Sequence, residues 1–555
     1  MMVGVNLQFT FTADQVDERC FIGCSGISRD VVVLKKCNFD ISPGTGVDKI
    51  ILAELFRYIR HNKKYPARFQ VFLRCDHCAI EVKEFVKQNT LGFEKLAGHV
   101  KQYPPEIVEK ISWVPADDIR RIARMFATAK SAAIVPGICS IDQHVNGLQT
   151  NRALCLLQAV TGNVDVPGSW VNVPFPRLGS LHIKVDEEPI GAAEHPLFYG
   201  LWGRQAPYGQ AMYLADAILD EKPYPVKALI VTGGNPLITL PDFKRIRSAL
   251  EKLDLLIVLD LFMTDTTRMA DIVLPACSFM ERGGVGYVYA VTGALPYLLL
   301  RKKVIEPVGE CWPDWKFWSE LGRRMGYGEL FPWQTDDEIV EYWLKPTGLT
   351  VAQLTERNPE GVFFAEKKYD MCQKGDFRTP SKKIELYCLT LAGYGYDPLP
   401  RHIEPSESPV STPELARKYP LILITGARTL QYTHTQFRNV SALRDAAPEP
   451  IAEIHPDTAR QYSLADGDMA AVETPKGEIS IRVKTTEDLA PQVVSIPHGW
   501  FQANANILTG LESRDPITGY TQLKGLLCRI RKLKQEEVEA AQHVDDSPSH
   551  IPSLV

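Results

Sequence analysis

The chain has 555 residues, of which 45% are hydrophobic and 23% charged, a composition typical of a globular protein with about three or four domains. Its formal net charge of −5 and pI near 6.2 provide no overall basic field, so we do not expect it to bind nucleic acid. No apolar run reaches the roughly 18 residues of a membrane span, and the first residues lack the pattern of a secretory signal. We therefore expect a cytoplasmic protein without a transmembrane segment.

The cysteines indicate a protein of a reducing compartment. Two groups of them differ from the rest in their spacing. Most of the 12 cysteines are isolated in apolar segments, which is typical of buried thiols and not of a disulfide scaffold. Cys20, Cys24 and Cys37 form one group, and Cys75 and Cys78 have C-x-x-C spacing. That spacing suits a metal ion or an iron–sulfur cluster, but also a chance pair, because no second C-x-x-C follows. We predict no metal ligand from these residues and leave their role open.

The first third of the chain predicts helices followed by a strand–loop–helix unit. Apolar residues recur at three and four positions through residues 48–130, as in amphipathic helices. The stretch "SAAIVPGICSIDQHVNGLQTNRALCLLQAVTGN" then reads as a short strand, a polar loop and a helix that ends at Gly162. Such a unit belongs to an α/β domain.

Three stronger strands follow. "VKALIVTGGNPL", "LDLLIVLDLFMTDT" and "ADIVLPACSFMERGG" each run apolar for about five residues before they reach polar ones, as strands buried on both faces do. The helical stretch "PDFKRIRSALEKL" joins the first two, so we predict parallel pairing and a ligand site outside the carboxyl ends of the strands. The residues at those ends are Gly233, Gly234, Asn235, Asp260, Thr264, Glu281 and Gly284.

The last third predicts a connecting region and a β domain. From about residue 300 the sequence is irregular and aromatic, and the Pro- and Ser-rich residues 397–420 are a linker candidate. Short strands separated by turn clusters such as "ADGD" and "PKGE" then predict a β-barrel or sandwich, interrupted by the small helix "HPDTARQY". The final residues read as a frayed tail.

The strand-end residues have the chemistry to bind a guanine dinucleotide. The guanine edge offers two neighbouring N–H donors that one carboxylate can accept, and a diphosphate needs backbone amides and hydroxyls. Asp260, Thr264, Asp314 and the "GGN" loop supply such groups. Residue chemistry alone nevertheless favours simpler roles, in which Asp260 caps the following segment and Thr264 completes a turn.

An ordered series of motifs adds a resemblance. "VTGGNPL", "VLDLFMTDTTRMADIVLPACSFMERGG", "TPSKKIEL", "HPDTARQYSLADGDMAAVETPKGEI" and "ANANILT" occur in this order. The series resembles the catalytic subunit of the molybdenum and tungsten oxidoreductases that use bis-molybdopterin guanine dinucleotide, the family of formate dehydrogenases, dimethyl sulfoxide reductase and acetylene hydratase. The resemblance covers about residues 85–530 of the chain.

The resemblance implies an α/β protein with parallel-sheet dinucleotide-binding domains, both incomplete, followed by a C-terminal β-barrel of the double-psi type. It divides the chain into an atypical N-terminal region (1–84), an α/β segment of one molybdopterin dinucleotide domain (85–178), an α/β segment of the second dinucleotide domain (179–300), an irregular connecting region with a linker (301–410), the barrel domain that binds molybdopterin dinucleotide (411–535) and a flexible tail (536–555).

The resemblance also implies roles for individual residues. Around one dinucleotide, with Asp260 and Thr264 on its guanosine, it places Gly234, Asn235, Asp260, Thr264, Gly284 and Asp314. Around the other dinucleotide it places Gly137 and Gln143. Near the pterins it places Thr425, Gly426, Arg428, His434, His498, Asn506 and Lys524. Catalytic residues and the metal ligand are not predicted.

One departure from the family pattern affects the expected activity. The family's iron–sulfur domain and its metal-binding loop precede a motif that resembles "ISPGTGVD", which begins here at residue 41. We therefore expect a C-terminal portion of the family's catalytic subunit. The ligands of the family's 4Fe–4S cluster are not recognisable, since Cys20, Cys24 and Cys37 have a different spacing.

The implied cofactor is bis-molybdopterin guanine dinucleotide with molybdenum or tungsten, and the implied reaction is two-electron chemistry on a small-molecule substrate. The implied partner is an N-terminal half or an iron–sulfur electron-transfer subunit. Three hypotheses stay open: a catalytic segment completed by a separately encoded half, an inactive cofactor-binding fragment, and a non-redox member that adds water as acetylene hydratase does.

Overall fold

The computed structural model describes residues 31–33, 76–136, 141–171, 175–180, 188–200, 208–287, 295–366, 368–369, 371–375, 377–427 and 429–539. Several residues singled out in the sequence lie outside this part of the chain: Cys20, Cys24, Cys37, Cys75, Gly137 and Arg428. None of the helices formed by the described residues is long and apolar enough to cross a membrane.

Helices and strands alternate through the first two thirds of the chain, and strands dominate the last third. The α-helices are α1 (Asp76–Asn89), α2 (Phe93–His99), α3 (Pro105–Ser112), α4 (Ala116–Thr128), α5 (Gly147–Val160), α6 (Pro196–Phe198), α7 (Leu214–Leu219), α8 (Pro236–Thr239), α9 (Phe243–Lys252), α10 (Asp314–Arg324), α11 (Asp336–Leu344), α12 (Val351–Glu356), α13 (Met371–Lys374), α14 (Leu389–Gly393), α15 (Pro413–Lys418), α16 (Ser441–Ala446) and α17 (Pro456–Gln461). The strands are β1 (Val31–Val33), β2 (Thr90–Leu91), β3 (Ser131–Ala133), β4 (Ala228–Thr232), β5 (Leu255–Asp260), β6 (Ile272–Pro275), β7 (Gly284–Gly286), β8 (Tyr297–Arg301), β9 (Val362–Phe363), β10 (Ile384–Glu385), β11 (Leu421–Ala427), β12 (Ile451–Ile454), β13 (Met469–Thr474), β14 (Gly477–Thr485), β15 (Val493–Pro497) and β16 (Lys524–Lys532).

The first α/β region contains the predicted strand–loop–helix unit. Helix α4 buries Ile119, Ala123 and Phe126 on one face, as its apolar periodicity predicts, and Phe126 packs in one core with residues of β3 and α5. Strand β3 pairs in parallel with β1, and helix α5 ends two residues before Gly162, whose φ of +71° suits a glycine. The α/β character predicted for this region is confirmed.

The second α/β region is the predicted parallel sheet. Strands β4, β5 and β6 lie side by side in that order, all parallel, with Thr232 opposite Leu259 and Asp260 opposite Pro275. Helix α9 connects β4 to β5 and buries Ile246 and Leu250 against the sheet. The carboxyl ends of the three strands therefore meet at one edge, which we call the strand-end edge.

The connecting region is more ordered than its composition suggests. It contains α10 to α12 and strand β9, which joins the preceding β7 and β8 in a small antiparallel sheet. Residues 397–420, the linker candidate, lie against the first α/β region: the amide of Asn146 donates to the Arg401 carbonyl at 2.9 Å, and that of Gln149 donates to the Asp397 carbonyl at 2.8 Å. These bonds hold the segment in place.

The C-terminal domain is a closed six-stranded barrel, which confirms the barrel rather than the sandwich. Its strand order is β11-β15-β12-β14-β13-β16. Alternate residues of the strands point inward, so that Leu423, Ile454, Val472, Ile481 and Val494 are fully buried in one core. Helix α17 corresponds to the predicted "HPDTARQY" helix.

The barrel contacts both α/β regions through buried polar groups. The amide of Asn506 donates to the Ile238 carbonyl in α8 at 2.8 Å. On the other side, the Leu523 amide donates to the Gln143 carbonyl at 3.2 Å. Because each of these polar groups is buried with a partner, the contacts fix the position of the barrel mouth relative to the two α/β regions.

The barrel core gives a stability prediction. We expect Leu423→Ala to lower the free energy of barrel opening by about 2–5 kcal/mol, because the leucine is 0% exposed and its removal leaves a cavity. Hydrogen exchange of β11, β15 and β16 measures this opening. The matched control is Leu430→Ala, whose side chain is 82% exposed and whose effect should stay within about 0.5 kcal/mol. Equal effects of the two substitutions would contradict the described core.

Candidate cofactor site

Asp260 lies at the strand-end edge and has the capping role that residue chemistry favoured. Its Oδ1 accepts hydrogen bonds from the backbone amides of Leu261 at 2.7 Å and Phe262 at 3.2 Å. Burial raises the pKa of Asp260, and the nearby charge of Asp314 raises it further. Asp260 and Asp314 therefore lie within electrostatic range of each other, although 54 positions separate them in the chain.

The loops beside Asp260 are shaped by Asn235 and Thr264. The Asn235 side-chain oxygen accepts from the backbone amide and the hydroxyl of Thr266, at 3.1 and 2.7 Å, and its amide donates to Asp265 at 3.1 Å. The Thr264 hydroxyl lies 2.7 Å from that of Thr267. Next to Asn235, Gly234 has a backbone that a ligand can approach, since only two atoms lie within 4 Å of where a Cβ would stand.

Two arginines lie beside Gly284 and Asp314. A Cβ on Gly284 would come within 2.6 Å of the Arg301 guanidinium, so the glycine lets this guanidinium lie close to the backbone. Arg282 lies 3.8 Å from the Asp314 carboxylate. The buried Nε atoms of Arg282 and Arg301 have no hydrogen-bond partner among the described residues. Burial, followed by the charge of Arg282, lowers the pKa of Arg301.

The mouth of the barrel brings four predicted residues together. The Thr425 hydroxyl donates to the Leu523 carbonyl at 2.6 Å, and the amide of Leu523 contacts the carbonyl of Gln143. Gly426 has a φ of +87°, and the Lys524 ammonium lies 3.7 Å from where its Cβ would stand. The predicted contact residues of the second dinucleotide and of the pterins thus adjoin at this point.

A pocket at the barrel mouth contains both predicted histidines. It is lined by Thr429, Tyr432, His434, Arg438, Pro497, His498 and Trp500. The rings of His434 and His498 meet edge to face, with centroids 4.9 Å apart. Gly499 has a φ of +83°, and a Cβ there would come within 2.8 Å of the His434 backbone. Glycine at this position therefore lets the two histidine loops touch.

Arg438 is the charged group of this pocket. Its guanidinium stacks 3.8 Å from the ring centroid of Trp500 and donates to the carbonyls of His434 and His498 at 3.3 and 3.5 Å. Its Nε is buried without a hydrogen-bond partner in the described part of the chain. Burial lowers the pKa of Arg438 to about 10, while the charge of Asp265 acts in the opposite direction. The barrel mouth and the strand-end edge therefore lie within electrostatic range of each other.

One predicted contact residue, Asn506, has a packing role in the structure. Asn506 is buried, and its amide bonds to α8 and to Thr509, so it contributes to domain packing. Its role as a pterin contact stays a prediction, as do those of the other predicted residues.

Sequence reasoning missed Arg282, Arg301 and Arg438. The "ERGG" and "HTQFR" stretches offered a signal, because they place an arginine two and four residues, respectively, from a predicted contact.

Comparison with known proteins identifies the family. Residues 57–324 match the family described as molybdopterin oxidoreductase. Residues 421–527, which form most of the barrel, match the molydopterin dinucleotide binding domain. The chain belongs to the molybdopterin oxidoreductase family. The predicted cofactor of this family, bis-molybdopterin guanine dinucleotide with molybdenum or tungsten, is thereby confirmed.

Family members of different activity are similar to the chain. Acetylene hydratase of Syntrophotalea acetylenica is 33% identical over 457 residues, which are 75% of this chain and 60% of that protein. A formate dehydrogenase alpha subunit of Methanocaldococcus jannaschii is 28% identical over 479 residues, 81% of this chain and 66% of that subunit. The solved structure of acetylene hydratase from Pelobacter acetylenicus matches with a TM-score of 0.73 and 28% identity, covering 89% of this chain and 71% of the other. The chain thus spans 60% and 66% of these two curated relatives.

The raised pKa of Asp260 gives a stability prediction. The folded protein holds the Asp260 proton more tightly than the unfolded chain, so the free energy of unfolding falls as pH rises from the ordinary value of 3.8 through the folded pKa. We expect Asp260→Asn to make the cofactor-free protein more stable than wild type at pH 7, with an advantage that shrinks in acid. Denaturant unfolding at several pH values measures this. The exposed Asp254→Asn is the control, and a less stable Asp260→Asn at pH 7 would contradict the prediction.

Proposed function

We propose that this chain forms part of the catalytic polypeptide of a molybdenum or tungsten enzyme that performs two-electron redox chemistry on a small molecule. One observation carries the proposal: the arginines at the strand-end edge and at the barrel mouth, which are partly exposed, have buried Nε donors without partners among the described residues. A buried donor without an acceptor is costly, and an anionic ligand would satisfy it. The family cofactor carries two diphosphates and fits this requirement.

Asp260 is the residue proposed to accept the hydrogen bonds of one guanine. One of its oxygens already accepts from Leu261 and Phe262, which fixes the orientation of the carboxyl group. Neither of these amides bonds to the other oxygen, and we propose that guanine donates its two edge N–H groups to the carboxylate. The raised pKa fits this role, because the two new hydrogen bonds would stabilise the charged form.

The proposed diphosphate contacts are the Gly234 backbone, Arg282 and Arg301. Gly234 offers an approachable amide, and both arginines keep one buried donor without a partner in the described part of the chain. On the other side of the site, Gln143 would bind the second dinucleotide, and Lys524 and the Arg438 pocket would bind the pterins. When bound, the cofactor supplies the metal whose oxidation state changes by two electrons, and the chain orients it and excludes water.

A hydratase is the second candidate. Acetylene hydratase is similar to this chain in both sequence and structure, which favours a hydratase. We place redox activity first because the matching family is described as an oxidoreductase family and the formate dehydrogenase relatives are named as redox enzymes. The substrate itself is not assigned by either candidate.

We also propose a protein partner at the second sheet. Within the described part of the chain β5 is the only strand that pairs with β6, whose Ile272 and Val273 side chains are 43% and 41% exposed. The end of β6 also bonds to Trp312, so two exposed β-branched residues at the start of the other edge invite a further strand there. An N-terminal half or an iron–sulfur subunit, as the sequence predicted, would supply it. A relative named as an alpha subunit agrees with assembly into a larger enzyme.

Cofactor content tests the proposal first. The chain, with and without a co-expressed N-terminal half of a relative, is purified from a host that makes the dinucleotide cofactor. We expect molybdenum or tungsten and oxidised-pterin fluorescence at about one cofactor per chain, because the buried donors then find acceptors. Loaded protein is then assayed for formate oxidation with a viologen dye and for acetylene hydration. Soluble protein that contains no pterin in either preparation would contradict the proposal.

A single substitution tests the Arg438 pocket. We expect Arg438→Gln to weaken cofactor retention by about 10- to 100-fold, since a charged hydrogen bond contributes about 1.5–3 kcal/mol. Pterin content after dilution and gel filtration is the measurement. Arg444→Gln, an exposed arginine of α16, serves as the matched control and should retain the cofactor. Equal retention by the two variants would remove Arg438 from the site.

A further inference from the structure

Two cysteines and a glutamate form a buried cluster beyond the end of β6. The side chains of Cys277, Glu281 and Cys311 are 6%, 7% and 8% exposed. The two sulfur atoms lie 3.5 Å apart, and the Cys311 sulfur lies 3.4 Å from Oε1 of Glu281. All three ligand atoms lie within 4.8 Å of one another. None of the three residues belongs to the cofactor contacts proposed above.

The Glu281 carboxylate is held in place by the backbone. Its Oε2 accepts from the Ser278 amide at 2.6 Å, and its Oε1 accepts from the Val308 amide at 2.8 Å. Hydrogen bonds from backbone amides favour the anionic form of a carboxyl group. Glu281 is therefore a charged and oriented oxygen ligand before any ion arrives.

Backbone hydrogen bonds also hold together the two segments that carry the cysteines. The amide of Cys277 donates to the Trp312 carbonyl at 3.0 Å, and the amide of Trp312 donates to the Pro275 carbonyl at 3.1 Å. These two bonds join the segment after β6 to the segment before α10 on either side of the cysteines. A tetrahedral zinc ion with Zn–S bonds of about 2.3 Å needs sulfur atoms about 3.8 Å apart. The observed 3.5 Å requires a shift of only a few tenths of an ångström.

We propose that Cys277, Cys311 and Glu281 bind a zinc ion, with the fourth position open to solvent or a fourth oxygen. On binding, the two thiols release their protons and three anionic ligands surround the dication, which leaves one net negative charge. Arg282, which follows Glu281 directly, provides a positive charge beside it. Two thiolates and a carboxylate match the ligand preference of zinc, whereas magnesium and calcium prefer oxygen alone.

A disulfide is the competing use of the two cysteines. It would require the sulfur atoms to approach from 3.5 Å to about 2.05 Å, and an oxidant such as a peroxide to take up two electrons. It would also leave the Glu281 carboxylate without a cation. The cluster lies close to the surface, since Phe279, Met280 and Trp312, its neighbours in the chain, are 60%, 40% and 40% exposed.

The ion would stabilise the strand-end edge. Glu281 lies three residues before Gly284, and Cys311 lies three residues before Asp314, the two predicted dinucleotide contacts. An ion that joins both segments would restrict their motion whether or not the dinucleotide is bound. The test can therefore use cofactor-free protein, and its failure would leave the proposed function untouched.

The test titrates the reduced, chelator-treated full chain with cobalt(II) and then with zinc. We expect a thiolate-to-cobalt charge-transfer band that zinc removes. The double variant Cys277→Ser with Cys311→Ser should bind about one zinc per chain less than wild type. The control variant Cys155→Ser with Cys372→Ser loses two thiols elsewhere and should match wild type. Glu281→Gln should weaken zinc binding without abolishing the charge-transfer band.

Hydrogen exchange keeps the test decisive if the double variant fails to fold. In wild-type protein, zinc should slow exchange of the amides in residues 277–281 and 304–312 and leave the barrel strands unchanged. Equal zinc content in both double variants, or zinc that leaves these amides unaffected, would overturn the proposal. A disulfide between Cys277 and Cys311 in air-exposed protein that binds no zinc after reduction would also overturn it.

Discussion

The in-register parallel pairing of β4, β5 and β6 is the constraint on which the rest of the structure depends. Because the three strands run in one direction, their polar ends meet at one edge. Asp260 thereby comes within range of Asp314, and the Asn235 loop contacts the loop that follows β5. A shift of one residue in β5 would turn Asp260 to the other face of the sheet and dismantle this edge.

The charged groups of the site are arranged for a ligand and not for the stability of the empty protein. Burial disfavours the charge of Arg438 and of Asp260, and lowers the pKa of the first while raising that of the second. Arg301 shows the same effect beside Arg282. The proposed cofactor, with guanine donors and phosphate oxygens, would supply what each group lacks. Its binding at these groups would therefore stabilise the fold as well as fill the site.

The barrel and the second sheet act as one unit because their contacts are polar and buried. Asn506 joins the barrel to α8, next to Asn235, which shapes the strand-end edge. The zinc ion proposed at Cys277, Glu281 and Cys311 would add a further link between chain segments at the same edge. The connecting region, which reads in sequence as a spacer, thus helps to hold the candidate site.

The sequence by itself indicated the family and its barrel through the resemblance of its ordered motifs, and it predicted the parallel sheet and a C-terminal β domain from apolar periodicity and turn residues, which are local signals. It also located Asp260 and Asn235, which directly follow strands. Only the tertiary structure decided which distant groups meet: Arg438 with Trp500, and Cys277 with Cys311, 34 positions apart. Likewise, composition marked residues 397–420 as a linker, but hydrogen bonds to α5 hold them in place. Such contacts depend on chain folding over long separations, which no local pattern encodes.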